Sequence, residues 1–528
     1  MRLFPQNMNL KVHNRFTSEL PADNNESNIS RQVNSACFSY VTPRIPSQPK
    51  LLHVSESVAK SIGVSDAVMQ STAFLEVFSG KQIIPNTKPF AMCYGGHQFG
   101  HWAGQLGDGR AINLTEIEHN HNFLTLQLKG AGRTPYSRNA DGLAVLRSSI
   151  REHLCSEAMY DLGVPTTRSL SLIATGDEVL RDILYDGNPD YEKGAVVCRV
   201  APSFIRFGSF EIFAARQDVT NLKLLADFTI KHYFPEISEN SKERYVHFFK
   251  TIADSTREMI VHWQRVGFVH GVMNTDNMSV HGLTIDYGPY GWLEDYNPNW
   301  TPNTTDNEHK RYRFGNQPEM ALWNLYQLAN ALFPLIEDVA PLEAILNNFA
   351  TQYETDYLDM MLSKLGLLKN SKDDKALISD LEKVLQLSET DMTIFFRELA
   401  LVKKEHSPGC GIAITNDAFY KPQEINKTVL KEWEKWFKNY ILRLQKENLT
   451  DAKRKEQMDA VNPKYVLRNY MAQLAIDAAN NDDYSIIDEL HTVLKTPYQD
   501  QPQHEKWYAK RPDWAREKVG CSMLSCSS

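Results

Sequence analysis

The stretch FVHGVMNTDNMSVHGLTIDYGP, residues 268–289, decides how the fold of this chain is interpreted. It places His270 seven residues before Asn277, and a DYG triplet begins at Asp286. Asparagine and aspartate provide oxygen ligands of the type that Mg²⁺ and Mn²⁺ prefer. Because an Asx pair could equally cap turns, the chemical interpretation depends on the sequence around it.

The spacing is similar to the catalytic and metal-binding loops of protein kinases, where H-R-D-L-x-x-x-N precedes D-F-G. In those loops the aspartate two residues after the histidine accepts the proton of the attacking hydroxyl. Val272 occupies that position here. Asp276 is the nearest replacement, and it could orient or deprotonate a hydroxyl if the loop turns it inward. The loop therefore retains candidate metal ligands, Asn277 and Asp286, but lacks the usual base.

The order of predicted elements supports the same comparison. Between residues 86 and 200 short β-rich runs dominate, with one predicted helix at about 146–162. The run 241–267 carries large apolar residues on one stripe and ends in glycine, so a long amphipathic helix leads to His270. More helices are predicted in 318–403, in 426–447 and after Pro463.

We therefore predict an α+β chain with a bilobal, protein-kinase-like fold, since a small β-rich lobe precedes a larger helical one. The predicted units are an N-terminal arm, mostly extended and packed on the N-lobe; the β-rich N-lobe; the helical C-lobe with the catalytic and metal-binding loops; and a helical C-terminal extension. Their predicted boundaries are 1–85, 86–205, 206–425 and 426–528.

The composition is that of a globular protein, with 42% hydrophobic residues among 528. The 57 Lys and Arg residues against 65 Asp and Glu give a net charge of −8, which argues against nucleic-acid binding. No apolar run of about 18 residues predicts a membrane helix, and the N-terminus lacks the apolar core of a secretory signal. Seven widely spaced cysteines indicate no disulfide framework, so a reducing cytosol is the expected compartment.

Transfer of a phosphoryl or nucleotidyl group needs a cradle for phosphate oxygens and cations to neutralise them. The cradle candidate is YGGHQFGHWAGQLGDGRAINL, residues 94–114, where Gly107 and Gly109 precede a strand and Arg110 adds charge. Glycine lets backbone N–H groups approach a phosphate. A Gly-rich loop is nevertheless more often a simple turn.

Three candidate basic residues come after this glycine-rich segment in the sequence. Lys129 ends the alternating strand LTLQLKG, and the next predicted helix offers Glu152 and Glu157 as partners, of which Glu152 comes soon enough to face back toward the strand. A solvated strand end is the alternative. Arg199 and Arg206 bracket VAPSFI, and an arginine that ends the apolar run AVVC needs an anion, either a phosphate or a protein carboxylate.

Longer motifs closely resemble the SelO (YdiU) family of protein adenylyltransferase pseudokinases. They include LQLKGAGRTPYSRNADGLAVLRSSIREHLCSEAM, CRVAPSFIRFGSFE, FVHGVMNTDN and RYRFGNQPEMALWNL, and the resemblance runs from about residue 37 to the C-terminus. It implies a kinase-like fold that binds ATP in a flipped orientation with Mg²⁺ or Mn²⁺. AMP, rather than the γ-phosphate, would pass to Ser, Thr or Tyr hydroxyls of proteins. Val272 is then tolerable, because the usual base position no longer lies beside the nucleophile.

The resemblance also implies roles for individual residues. Those that would contact the nucleotide are Gly107, Gly109, Arg110, Asp141, Gly142 and Asp286. Those that would hold its outer phosphates are Lys129, Arg199 and Arg206, with Glu152 holding Lys129. Asp276 matches the proposed proton acceptor, and Asn277 and Asp286 match the metal ligands.

The tail GCSMLSCSS carries Cys526 third from the end, where some family members have selenocysteine. This implies a redox role with disulfide-linked control, in which Cys521 or a cysteine of the enzyme body would be the partner. The missing selenocysteine and transit peptide suggest a bacterial, cytoplasmic member; a mitochondrial location is expected only for a eukaryotic one. We expect a monomer whose partners are ATP, protein substrates and redox proteins, and which binds neither nucleic acid nor membranes.

Three other interpretations stay open. Uridylylation with UTP and Mn²⁺ is a close enzymatic alternative, because metal ligands do not select the nucleobase. A conventional protein kinase leaves Val272 unexplained. A non-catalytic nucleotide-binding scaffold explains Val272 but not the retained Asn277 and Asp286.

Overall fold

The computed structural model describes residues 8, 10–183, 187–238, 241–368, 371–521 and 523–525. The strands are β1 (Lys11–His13), β2 (Phe38–Tyr40), β3 (Lys50–Val54), β4 (Phe90–Met92), β5 (His97–Gln98), β6 (His101–Trp102), β7 (Ala111–His119), β8 (Asn122–Lys129), β9 (Ala144–Val145), β10 (Arg168–Arg181), β11 (Asp190–Ala201), β12 (Phe268–Val269) and β13 (Gly291–Trp292). The α-helices are α1 (Arg15–Glu19), α2 (Glu56–Ser61), α3 (Asp66–Met69), α4 (Thr72–Phe78), α5 (Leu146–Asp161), α6 (Phe207–Ala215), α7 (Val219–Tyr233), α8 (Glu243–Val266), α9 (Gln317–Ile336), α10 (Ala340–Leu365), α11 (Asp374–Leu385), α12 (Met392–Leu399), α13 (Pro408–Ile414), α14 (Lys427–Leu444), α15 (Asp451–Asp459), α16 (Asn469–Asn480) and α17 (Ser485–Leu494).

The largest sheet of the described residues is antiparallel, with the order β2-β4-β7-β8-β11-β10-β3; β1 pairs with β7, and β9 pairs with β11. Helices dominate the chain after β11. This is the mixed composition that the sequence predicted: a β-rich first part, interrupted by one long helix, and a helical second part. Among the described residues no helix is both long and apolar enough to cross a membrane.

The segment predicted as an extended arm, residues 1–85, is built into this sheet. Its described part contributes β1, β2 and β3, and it contains four short helices where the sequence indicated one. The helix that was predicted, α2, is followed by Gly63 in the left-handed region, at φ 77°. The other three helices have only four to seven residues, which is too short for a clear apolar period.

Strand alternation separates the two faces of the sheet. Val196, Cys198 and Val200 on β11 belong to a core shared with residues of α2, α3 and α4. Ala195 and Val197 point the other way, into the core that contains α5. Because side chains alternate along a strand, Arg199 lies on the α5 face.

Helix α8 leads directly into the loop of residues 268–289. It buries Phe248, Phe249 and Trp263, and it ends at Gly267 with φ 74°, as predicted from the sequence. A Cβ at Gly267 would lie 2.9 Å from the Met392 sulfur, so glycine also serves close packing there. Immediately after it, β12 pairs with β13 and closes the base of the loop.

We expect Phe249→Ala to destabilise the protein by about 3–5 kcal/mol, because it deletes a fully buried ring from α8. The midpoint of urea-induced unfolding, followed by circular dichroism, measures this change. The matched control is Phe333→Ala on α9, whose ring is 40% exposed. Equal midpoints for the two variants would contradict the assignment of α8 to the core.

Candidate active site

A cleft of about 710 Å³ opens between the β-rich part of the chain and the loops that follow α8. The residues predicted to bind the nucleotide or a metal ion, or to accept the proton, all line it except Glu152. The lining residues among them are Gly107, Gly109, Arg110, Lys129, Asp141, Gly142, Arg199, Arg206, Asp276, Asn277 and Asp286.

One carboxylate on α5 holds two of the cations. The Lys129 Nζ lies 2.5 Å from Glu152 Oε2, and Arg199 Nη1 lies 3.1 Å from Glu152 Oε1. Burial lowers the pKa of Lys129, and Glu152 counteracts this effect. The second candidate partner, Glu157, bonds instead to Arg168 at 2.6 Å. The interpretation of Lys129 as a solvated strand end was therefore wrong.

Two guanidinium groups meet on the carboxylate of Asp286. Arg199 donates to Oδ1 and Arg206 donates to Oδ2. Arg206 also donates to the backbone oxygen of Asp276 at 2.7 Å. Burial alone would raise the pKa of Asp286, but the three cations Arg206, Arg199 and Lys129 hold it well below its usual range. The Asp286 carboxylate is thus ionised and fully engaged by arginine in the absence of a ligand.

Two residues that were not predicted as site residues from the sequence contact the arginines. Gln127 Oε1 accepts a hydrogen bond from Arg199 Nη2, and Asp108 Oδ1 lies 3.9 Å from Arg206 Nη2. Both are fully buried. Strand alternation could have revealed Gln127, because it shares a face with Lys129. Asp108 was visible in the sequence only as the residue between two candidate glycines.

Asp108 and Gln127 also bond to each other, at 3.4 Å between Gln127 Nε2 and Asp108 Oδ2. The same Asp108 oxygen accepts from the backbone nitrogen of Met92 at 3.0 Å and from Asn113 Nδ2 at 3.2 Å. Burial raises the pKa of Asp108, with Arg206 opposing the rise. This buried polar network, in which Asp108 also lines the cleft, contacts both guanidinium groups.

His270 anchors the loop that carries Asp286. Its Nε2 lies 2.8 Å from the backbone oxygen of Ile285, and its Nδ1 lies 3.3 Å from the backbone nitrogen of Val272. Burial lowers the pKa of His270, so the ring is neutral, with Nε2 donating and Nδ1 accepting. Its position against Trp263 at 5.4 Å ties the loop to α8.

Asp276 is turned inward, as the sequence reasoning required of a replacement base. It lies in a short 3-10 helix, Thr275–Asn277, and is 8% exposed. Its Oδ2 accepts from Gln98 Nε2 at 3.2 Å, whereas its Oδ1 is buried without a hydrogen-bond partner among the described residues. Burial raises the pKa of Asp276 to about 7, despite the opposing charge of Arg206. A carboxyl with this pKa can accept a proton near neutral pH.

Asn277 lines the same cleft beside Asp276. Its Nδ2 donates to the backbone oxygen of Val272 at 2.9 Å, which turns the side-chain oxygen away from that carbonyl. Asn277 and Asp286 therefore line one cavity, with both Asp286 oxygens held by arginine. Within the described ranges, no group of three or more His, Cys, Asp or Glu side chains is arranged to hold a metal ion.

The rim of the cleft needs its glycines for close packing. Gly107 has φ 85°, and a Cβ there would lie 2.4 Å from Tyr136 Cγ. Gly142 has φ 73°, and a Cβ there would lie 2.2 Å from the Gly132 oxygen. Next to it, the Asp141 carboxylate pairs with Arg181 at 2.8 Å. These glycines thus form tight turns and also line the cleft where phosphate oxygens are predicted to bind.

The redox prediction concerns the C-terminal tail. Cys526 lies outside the described residues. Cys521 is buried and is a free thiol, and burial raises the pKa of that thiol to about 11. A thiol with so high a pKa is a weak nucleophile at neutral pH.

Comparisons with known proteins agree with the geometry. The family model described as "Protein adenylyltransferase SelO" matches residues 23–495. A protein nucleotidyltransferase YdiU of Flavobacterium johnsoniae is 66% identical over 520 residues, which cover 98% of this chain and 100% of that protein. Proteins of the same name from Rhodopirellula baltica and Aromatoleum aromaticum are each 52% identical, over 98% of this chain and 99% and 100% of their own.

The match spans nearly the whole chain and includes every element that lines the cleft. The protein is therefore an enzyme of the nucleotidyltransferase class, and it belongs to the SelO family of protein adenylyltransferases.

Proposed function

We propose that this enzyme transfers AMP from ATP to Ser, Thr or Tyr hydroxyls of other proteins, with the triphosphate flipped relative to its orientation in protein kinases. The observation that carries the proposal is the convergence of Lys129, Arg199 and Arg206 on two carboxylates in one cleft. A conventional protein kinase has its catalytic aspartate at the position that Val272 occupies here, so this chain lacks the usual base.

A bilobal, kinase-like architecture is part of the proposal. An antiparallel sheet carries Lys129, the adjacent helix α5 carries Glu152, and these two residues form the ion pair that kinases make between strand and helix. The long helix α8 then leads into the His270 loop. The boundaries at residues 85, 205 and 425 remain predictions.

The three cations would hold the β- and γ-phosphates. Their guanidinium and ammonium groups are buried and paired with Glu152 and Asp286. A triphosphate would supply the competing negative charge, and planar guanidinium groups match phosphate oxygens well. Binding would therefore draw Arg199 and Arg206 from Asp286 toward the phosphates and release that carboxylate for another role.

The residues fit a divalent cation. Asn277 and Asp286, an amide and a carboxylate, both line the cleft, and Mg²⁺ is commonly bound by one or two carboxylates together with phosphate oxygens. We assign Mg²⁺ or Mn²⁺ to these residues. When bound, the ion would neutralise charge on the phosphates during transfer.

Asp276 is the proposed general base. Its buried, unpartnered Oδ1 and its pKa of about 7 suit a group that takes the proton of an attacking hydroxyl. The hydroxyl oxygen would then form a bond to the α-phosphorus, and the bond to the β-phosphate oxygen would break. Pyrophosphate leaves on the side of Lys129, Arg199 and Arg206, which stabilise its charge.

We expect label from α-labelled ATP, and not from γ-labelled ATP, to reach the protein itself and proteins of a lysate. The measurement compares both labels with Mg²⁺ and separately with Mn²⁺. Asp286→Ala is the blank, because it removes a carboxylate assigned to the metal. Label from the γ position would make the enzyme a kinase, and label from α-labelled UTP alone would favour uridylylation. Absence of transfer with intact ATP binding would favour a non-catalytic nucleotide-binding scaffold.

We expect Asp276→Asn to lower the rate of AMP transfer by about 10²–10⁴-fold while ATP affinity changes little. The amide keeps the shape of the side chain and can still accept from Gln98, so positioning is preserved. Single-turnover transfer and equilibrium binding of ATP measure the two effects separately. A rate equal to that of the wild type would remove Asp276 from the chemistry.

A further inference from the structure

The β5–β6 hairpin is attached to the short helix that carries Asp276. The backbone nitrogen of His97 donates to Thr275 Oγ1 at 2.7 Å, and that of Phe99 donates to Asn274 Oδ1 at 3.1 Å. The Gln98 side chain reaches Asp276 itself at 3.2 Å. Gln98 and Phe99 also line the cleft. The outer surface of this hairpin is therefore next to the place where a protein hydroxyl must arrive.

Aromatic side chains flank the hairpin on that outer surface. Trp102 is 40% exposed, and its ring lies 5.2 Å from the ring of His97. The ring of Trp323, on α9, lies 5.5 Å from the same histidine. Partly exposed aromatic rings of this kind contribute strongly to protein interfaces.

A basic loop borders the aromatic side chains. The Arg311 guanidinium lies 4.6 Å from the ring centroid of Trp323, and a Cβ on Gly100 at the hairpin tip would lie 3.4 Å from its Cζ. Lys310 is exposed and Arg313 is partly exposed in the same loop. We call Trp102, Trp323, Lys310, Arg311 and Arg313 together the basic ledge.

The cations of the ledge differ from those of the cleft, because they have no carboxylate within 4.0 Å among the described residues. Arg311 Nε has no hydrogen-bond partner there, and Arg313 donates to the backbone oxygen of Lys310 at 3.1 Å. The nearby Asp306 carboxylate accepts instead from the backbone nitrogens of Arg311 and Tyr312, at 2.8 and 2.7 Å. Glu308, the exposed acidic residue of this loop, forms no ion pair with them.

We infer that the basic ledge docks an acidic segment that flanks the target hydroxyl in a protein substrate. This inference rests on the proposed function and names the class of substrate sequence. A chain with a net charge of −8 repels acidic segments in general, so a local group of cations, in which only Arg311 interacts at longer range with Asp306, gives them a preferred orientation. Arg311 can form a bidentate pair with a carboxylate, and Trp102 can contact the chain beside it.

The first test measures binding without ATP. Two fluorescent peptides carry one central tyrosine, flanked by glutamates in one and by lysines in the other. By fluorescence polarisation we expect the glutamate peptide to bind more tightly by about tenfold, and Lys310→Glu/Arg311→Glu/Arg313→Glu to remove this preference. Equal binding of both peptides, or an unchanged preference in the triple variant, would overturn the inference.

The matched control is Lys431→Glu/Lys435→Glu/Lys438→Glu, which changes the net charge equally on exposed positions of α14. We expect it to bind the glutamate peptide as the wild type does; an equal loss would show that only net charge matters and would overturn the inference.

If the triple ledge variant fails to fold, two other variants replace it: Lys310→Glu/Arg313→Glu, which keeps Arg311 against Trp323, and Trp102→Ala. Both are expected to weaken binding of the glutamate peptide.

The second test measures transfer from α-labelled ATP to the same peptides. The ledge variant is expected to raise KM for the glutamate peptide by about tenfold and to leave KM for ATP unchanged. Transfer of α-label without preference for the glutamate peptide would overturn the inference that the basic ledge docks acidic segments, but it would not contradict the proposed function. Selective peptide binding without any α-label transfer would contradict the proposed function and not the docking surface.

Discussion

The Asp286 carboxylate, held between Arg199 and Arg206, is the interaction on which the arrangement of the cleft depends. Isolated buried charges are very costly, so each must be paired. Lys129, Arg199 and Arg206 share the carboxylates of Glu152 and Asp286, and Asp108 lies 3.9 Å from Arg206. This group of cations, in a cleft of about 710 Å³, is suited to a polyanionic ligand.

The fold brings these charges together by simple geometry. β8 and β11 are neighbouring antiparallel strands, so Gln127 and Lys129 on one and Arg199 on the other project toward α5. Helix α5 contributes Glu152, and the loop after α8 contributes Asp286 with φ 55°, in a conformation that His270 helps to fix. The apolar Val272 stands where a kinase has its base, and Asp276 has a buried carboxylate oxygen without a hydrogen-bond partner among the described residues.

The long, periodic parts of the fold could be predicted from the sequence. Both α5 and α8 were predicted nearly to their ends, since their apolar stripes and terminal glycines are strong signals. The cations and carboxylates of the cleft were identified individually, but family resemblance was needed to group them. Asp108 and the β5–β6 hairpin were missed, because burial and tertiary contacts, which no local pattern encodes, determine their positions.

A crystal structure with Mn²⁺ and α,β-methylene ATP measures the orientation of the bound triphosphate directly. We expect the γ-phosphate against Lys129, Arg199 and Arg206, the α-phosphate facing Asp276, and manganese anomalous signal at Asn277 and Asp286. A γ-phosphate facing Asp276, with the α-phosphate on Lys129, would contradict it and would describe a kinase with a relocated base.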